Sequence, residues 1–124
     1  MSEQGPGAAF HVTLLRTPTS ARVLCLHGAL DYDSGPSLRR ALTEEIEARP
    51  PVLVLDLSDL QVCDSSGLKE FLWARLNRQG IPLVLAAPGI QFRQMLELTQ
   101  TDKLFVVTES VPAALAYHEV TVPE

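Results

Sequence analysis

Residues Val52 to Leu57 run without polar–apolar alternation and then give way to a short polar stretch that ends Asp64-Ser65-Ser66-Gly67-Leu68. A run of that length and character suits a strand buried on both faces, as in a sheet with parallel neighbours. The polar stretch delivers an acid, two hydroxyls and a glycine to the start of the next periodic segment. That segment, from about Ser65 to Asn77, reads as a helix ended by Gly80. A serine at a helix start is exposed and sits where free backbone N–H groups and the helix dipole accept negative charge.

The rest of the chain sorts around this unit. Phe10 to Leu14 alternates and reads as a half-buried strand; Thr17 to Ser20 is a turn; Arg22 to His27 is a second strand that pairs with the first as a hairpin, closed by Gly28 to Asp31. Ser34 is placed to cap a helix with Pro36 in its first turn. Leu38, Ala41, Leu42 and Ile46 share one face of that helix, Arg39, Glu44 and Glu47 project outward, and Pro50-Pro51 stops it. Leu83 to Ala86 and Leu104 to Val107 read as further strands, Ile90 to Leu98 and Ser110 to His118 as further helices, the last capped by Ser110. The order ββαβαβαβα predicts a single α/β domain over residues 10–118, with a mixed sheet of about five strands and about four helices. Residues 1–9 and 119–124 are expected to be tails, the first disordered. Binding surfaces of such sheets lie beyond the carboxyl ends of the strands. Asp64 to Gly67 lies there, and so does Gly28 to Asp33 if the second strand runs parallel to the third.

At 124 residues the chain is long enough to bury a core. Its net charge of −5 and lack of a basic patch argue against direct nucleic-acid binding. No apolar run approaches the roughly 18 residues that span a membrane. Met1 to Gly7 does not have the form of a signal peptide, which predicts a cytoplasmic protein without membrane insertion, monomeric when free. Cys25 and Cys63 read as small buried hydrophobes, and His11, His27 and His118 show no ligand spacing. Neither a metal nor a cofactor is expected.

On a helix beginning near Asp64, residues Ser66, Lys69, Glu70, Trp73 and Asn77 fall within roughly 100° of one another, while Leu68, Phe71 and Leu72 point the other way. Asp64 or Ser65 is the N-cap. Trp73, the single tryptophan, reads either as an exposed interface anchor or as a ring folded onto the neighbouring helix of its own domain. Arg75 falls inside the apolar arc. Phosphate on Ser66 would be tolerated by the helix start, yet would add nearly two negative charges beside Asp64 and Asp31. The plainer alternative is a capping turn with no further role.

With these residues placed, the chain resembles the STAS domain family, and within it the bacterial anti-sigma factor antagonists. The likeness runs from about Phe10 to Ala116. It rests on Gly28-Ala29-Leu30-Asp31, similar to the family's Gly-Glu-Leu-Asp turn, and on Val54-Leu55-Asp56-Leu57 followed by Asp64-Ser65-Ser66-Gly67-Leu68. The resemblance implies partner switching. The unmodified protein binds an anti-sigma factor that is itself a serine kinase, phosphorylation of the second serine of the motif, here Ser66, releases it, and a phosphatase resets it. It implies a partner-facing surface of Asp31, Asp64, Ser65, Ser66 and Gly67, to which the helix stripe adds Lys69, Glu70 and Trp73. Ala29 stands where the family's turn has an acid, and Lys69 and Glu70 where small or apolar residues are common. Lys69 is placed to pair with a phosphate on Ser66.

Other classes fit less well. A serine hydrolase calls for Gly-x-Ser-x-Gly, absent around Ser66. A cysteine phosphatase loop opening at Cys63 calls for an arginine where the chain has Lys69. No Gly-rich phosphate loop supports nucleotide binding. A non-catalytic STAS adaptor of a stress-signalling or lipid-transport complex keeps the fold and drops the phosphoswitch. An acidic chain of this size without an appended domain favours the diffusible antagonist.

Overall fold

The computed structural model of the chain describes residues 9–121. Five strands and four helices follow in chain order: β1 (His11–Arg16), β2 (Arg22–Leu30), α1 (Gly35–Glu47), β3 (Leu53–Cys63), α2 (Ser65–Asn77), β4 (Leu83–Ala86), α3 (Ile90–Leu98), β5 (Val106–Thr108) and α4 (Val111–Thr121), with a 3-10 turn at Asp102–Leu104. The expected order ββαβαβαβα is the observed one. Spatial order equals chain order, β1-β2-β3-β4-β5. β1 is antiparallel to β2, and every other pairing is parallel.

That order decides the layers. Each crossover steps to the next strand in the same direction, so right-handed connections place α1, α2 and α3 on one face. Leu24, Leu26, Leu53, Leu55, Leu57 and Leu85 point to that face and meet Leu38, Leu42, Leu68, Phe71, Phe92 and Leu96. α4 takes the opposite face, where Ala114 packs with Val23, Val52, Val54, Val84 and Ala86. β3 is therefore buried on both faces over its first half, which is why its sequence does not alternate.

Several boundaries differ from the sequence reading. β3 runs to Cys63, six residues beyond Leu57, because β2 continues to pair with it through two register shifts, between Cys25 and His27 and between Gly28 and Ala29. Gly28 accommodates the second at φ +89. Ser34 occupies the N-cap position of α1 but makes no side-chain capping bond. Its hydroxyl turns back to Asp31 instead. Ser110 does cap α4, accepting from the Ala113 N–H at 3.1 Å. β5 starts at Val106 rather than Leu104, because Leu104 closes the 3-10 turn. α4 continues past His118 to Thr121. The tail expectations for residues 1–8 and 122–124, and the side chain of His118, lie outside the described residues.

Phe71 is fully buried and meets Phe92 edge-on, with ring centroids 5.0 Å apart. It joins α2 to α3 and both to the sheet. Phe71→Ala is expected to cost about 3–5 kcal/mol in urea unfolding. A loss under about 1 kcal/mol would show that this joint does not hold the helical layer.

Candidate functional site

The parallel pairing of β2 with β3 ends with Leu30 opposite Cys63, and the Asp64 N–H donates to the Leu30 carbonyl at 3.2 Å. Both chain segments then leave the sheet at the same pole. The Asp31–Ser34 turn and the start of α2 are neighbours for that reason.

Asp64 is the N-cap of α2. Its backbone is extended, and its Oδ1 accepts from the Gly67 N–H at 2.9 Å. Ser65 and Ser66 are the first two helical residues, where backbone N–H groups precede any intrahelical acceptor. Gly67 comes third and is buried against the sheet. A Cβ there would stand 2.8 Å from Cys63 Sγ and 2.8 Å from Leu30 Cγ. No side chain fits between the first turn of α2 and the ends of β2 and β3. Gln91 of α3 holds the same junction from the other side. Its Oε1 accepts from the Cys63 N–H at 3.1 Å, and its Nε2 donates to the Cys63 carbonyl at 2.9 Å. β4 pairs with β3 only as far as Asp56, so this side-chain amide supplies the hydrogen bonds that a longer β4 would have made.

Cys63 is fully buried, its thiol pushed up to about 12 by desolvation and then by the Asp64 charge. That shift is opposite in direction to the lowered pKa of a reactive cysteine. Cys25 is half-buried rather than buried. Burial, then the Asp56 carboxylate, raise its thiol above the ordinary value. His27 bridges Asp59, 2.5 Å from Nδ1, and Thr13, 3.0 Å from Nε2, with His11 stacked on it. Among the described residues no three His, Cys, Asp or Glu side chains are grouped to hold a metal ion.

Ser66 is half-buried rather than exposed. It lines a cleft of about 300 Å³ with Tyr32, Asp33, Gly35, Pro36, Lys69 and Glu70. Asp31, Asp64, Ser65 and Lys69 are exposed around it. The lower part of the expected stripe is tied down. Glu70 accepts from Arg39 Nε of α1 at 2.6 Å, and the Arg39 guanidinium lies 4.2 Å over the Trp73 ring. Trp73 is half-buried and packs on the core, so the ring folds onto the neighbouring helix rather than standing free. Arg75 leaves the apolar arc to donate to the Leu104 carbonyl at 2.5 Å.

Three residues at this pole escaped the sequence reading. Tyr32 is 77% exposed, Ile90 76% and Val62 41%. Tyr32 lies in the turn after β2, Val62 is the penultimate residue of β3, and Ile90 opens α3 next to Gln91, which holds Cys63. The signal for Tyr32 was present, since a tyrosine between two aspartates in a turn has no core to enter.

Asp31 carries the clearest electrostatic signature. The Ser34 N–H, then the Ser34 hydroxyl, both 3.0 Å from Oδ1, hold its carboxyl below the usual value.

The family model described as STAS domain matches residues 13–114. Among solved structures, an anti-sigma factor antagonist from Mycobacterium paratuberculosis superposes with a TM-score of 0.83 at 24% identity, covering 90% of this chain and 95% of that one. The anti-sigma factor antagonist SpoIIAA in its unphosphorylated form gives 0.73 at 17% identity, over 91% and 100%. The Bacillus cell fate determinant SpoIIAA in its phosphorylated form gives 0.67 at 16% identity, over 86% and 98%. At these identities the superpositions establish the fold. Among the described residues no helix is long and apolar enough to cross a membrane.

Two outcomes follow from this geometry. Gly67→Ala should lower stability by about 1–3 kcal/mol, because the new methyl displaces α2 from Cys63 and Leu30; an unchanged urea midpoint would mean that the approach is looser than the contacts indicate. Asp31 has a lowered folded-state pKa, so its contribution to stability is complete above the unfolded carboxyl value and is lost as pH falls through the folded one. In an NMR titration, Ser34→Ala should raise the Asp31 transition only part of the way, because it removes the hydroxyl and keeps the Ser34 N–H that contributes most.

Proposed function

The chain belongs to the STAS domain family, and from that premise we propose that it is an anti-sigma factor antagonist working by partner switching. In this reading the unmodified protein binds an anti-sigma factor that is also a serine kinase. Phosphorylation on Ser66 ends the complex, a phosphatase restores it, and sigma-dependent transcription follows the state of one hydroxyl. The observation that carries the proposal is the seat of Ser66. It lies at the second position of α2, beside the cap Asp64 and in one cleft with Asp33 and Lys69.

The chemistry of that seat supports a reversible modification. A phosphate on Ser66 meets the Ser65 and Ser66 N–H groups and the positive end of the α2 dipole, so the fold tolerates it. A partner that has packed over a neutral serine meets instead nearly two added charges among Asp31, Asp33 and Asp64. The partner surface in this proposal is Asp31, Asp64, Ser65, Ser66 and Lys69, with Gly67 buried beneath it as the residue that seats the helix start. Tyr32, Val62 and Ile90 supply exposed apolar area at its edge. Glu70 and Trp73 contribute through the cleft wall and the clasp to Arg39 rather than as free anchors.

Incubation with candidate anti-sigma kinases and ATP, followed by mass spectrometry, is expected to find phosphate on Ser66 and none in Ser66→Ala. Ser66→Asp should weaken binding to the unmodified partner by at least about tenfold, equivalent to about 1.4 kcal/mol. Wild-type affinity in Ser66→Asp, or phosphate placed elsewhere with Ser66 untouched, would overturn the proposal.

A further inference from the structure

The pole of the sheet opposite Ser66 holds a second cleft, of about 370 Å³, whose lining includes Arg16, Thr17, Ser20, Arg22, Arg49 and Pro50. Three of the chain's ten cationic side chains meet there, in a protein of net charge −5. Arg16 and Arg22 stand directly opposite each other in the β1–β2 ladder. Like charges in that relation repel across the pair. One carboxylate answers them: Glu45, only 7% exposed, bonds Arg22 Nη1 at 2.7 Å. Among the described residues neither Arg16 nor Arg49 has a carboxylate partner.

We propose that this cleft binds a small phosphate-bearing anion. Guanidinium groups present forked N–H pairs that match phosphate oxygens, and a doubly charged group between Arg16, Arg22 and Arg49 turns their repulsion into attraction. The Ser20 hydroxyl adds a polar group to the same lining, while the Thr17 hydroxyl donates to the Ala21 carbonyl and shapes the turn beneath. The cleft volume suits a small molecule. Pro50 and Pro51 have no N–H to offer a peptide backbone, so the wall they form is poorly suited to hold an extended acidic segment of a protein. The site lies at the other end of the strands from the start of α2, so it can be filled while the Ser66 pole is engaged.

Sodium pyrophosphate is the probe, titrated at constant ionic strength by calorimetry and followed by thermal melting. Saturable one-site binding and a raised melting temperature are expected of the wild type. The double variant Arg16→Gln/Arg49→Gln should bind at least about tenfold more weakly. Both side chains are exposed and the change relieves the repulsion on Arg22, so its melting temperature without ligand should equal or exceed that of the wild type. Arg22 is left intact because its removal would strand the Glu45 carboxylate. Arg78→Gln, outside the cleft lining, should bind as the wild type does. Absence of saturable binding, equal affinity in the double variant, or an equal loss in Arg78→Gln would overturn the site. Citrate binding as tightly as pyrophosphate would overturn the assignment to phosphate.

Discussion

The parallel pairing of β2 with β3 is the constraint on which everything else at the Ser66 pole depends. It extends from Arg22 opposite Leu53 to Leu30 opposite Cys63, while β4 and β5 stop far short of that end. Two long strands therefore carry two turns to one place and hold them by the Asp64 N–H bond to Leu30. The turn after β2 supplies Asp31 and Asp33, and the helix after β3 supplies Asp64, Ser65 and Ser66. These residues are about thirty apart in the chain, and without this register they would have no reason to meet. The bulges at Gly28 and near Cys25 absorb the mismatch in strand length and keep the two ends level.

Beyond the pairing, the junction is stiff for reasons that can be named. Gly67 permits an approach that any Cβ would forbid, and the Leu30 and Cys63 side chains fill the space up to it. The Gln91 amide fixes both polar groups of the Cys63 backbone, and the Asp64 carboxylate fixes the Gly67 N–H. On the other flank, Arg39 spans α1 and α2 through Glu70 and Trp73. Ser66 thus stands on a supported helix start and opens onto a cleft. A group attached to its hydroxyl changes the charge and shape of the cleft before it changes the backbone beneath.

Much of this was legible in the sequence, because the signals were local and strong. The unbroken apolar run of β3, the 3.6-residue period of α1, the Asp64 cap of α2 and the Pro50-Pro51 stop each identify their element without help from distant residues. The polar half of β3 was not legible. Ser58, Asp59 and Gln61 look like a loop, and only the neighbouring β2 makes them a strand. The Ser34 hydroxyl goes to Asp31 rather than to the helix it precedes, a choice set by turn geometry that propensity does not encode. Trp73 was placed on the correct stripe, but a helical wheel gives no account of the adjacent helix. The cation that covers the ring belongs to α1, thirty-four residues earlier. Gln91 is likewise invisible locally, since what it satisfies is the backbone of another element.

Lys69 raises the question of whether this surface can work as a charge switch at all, because it lies one turn from Ser66 in the same cleft. The magnitudes decide it. An ion pair formed by an exposed lysine is worth about 0–1 kcal/mol. A phosphoserine brings about −1.5 to −2 charge at neutral pH. Lys69 can offset part of that charge, while Asp31, Asp33 and Asp64 remain at the same pole. Screening at physiological salt acts over about 8 Å, so neighbours at a shared cleft still feel one another. The modified pole is therefore more acidic than the unmodified one even with Lys69 fully engaged. A partner that buries the pole must also strip water from the phosphate, which one flexible ammonium on the outside of the helix does not replace. In the proposed switch, the effect of Lys69 is on depth and not on direction.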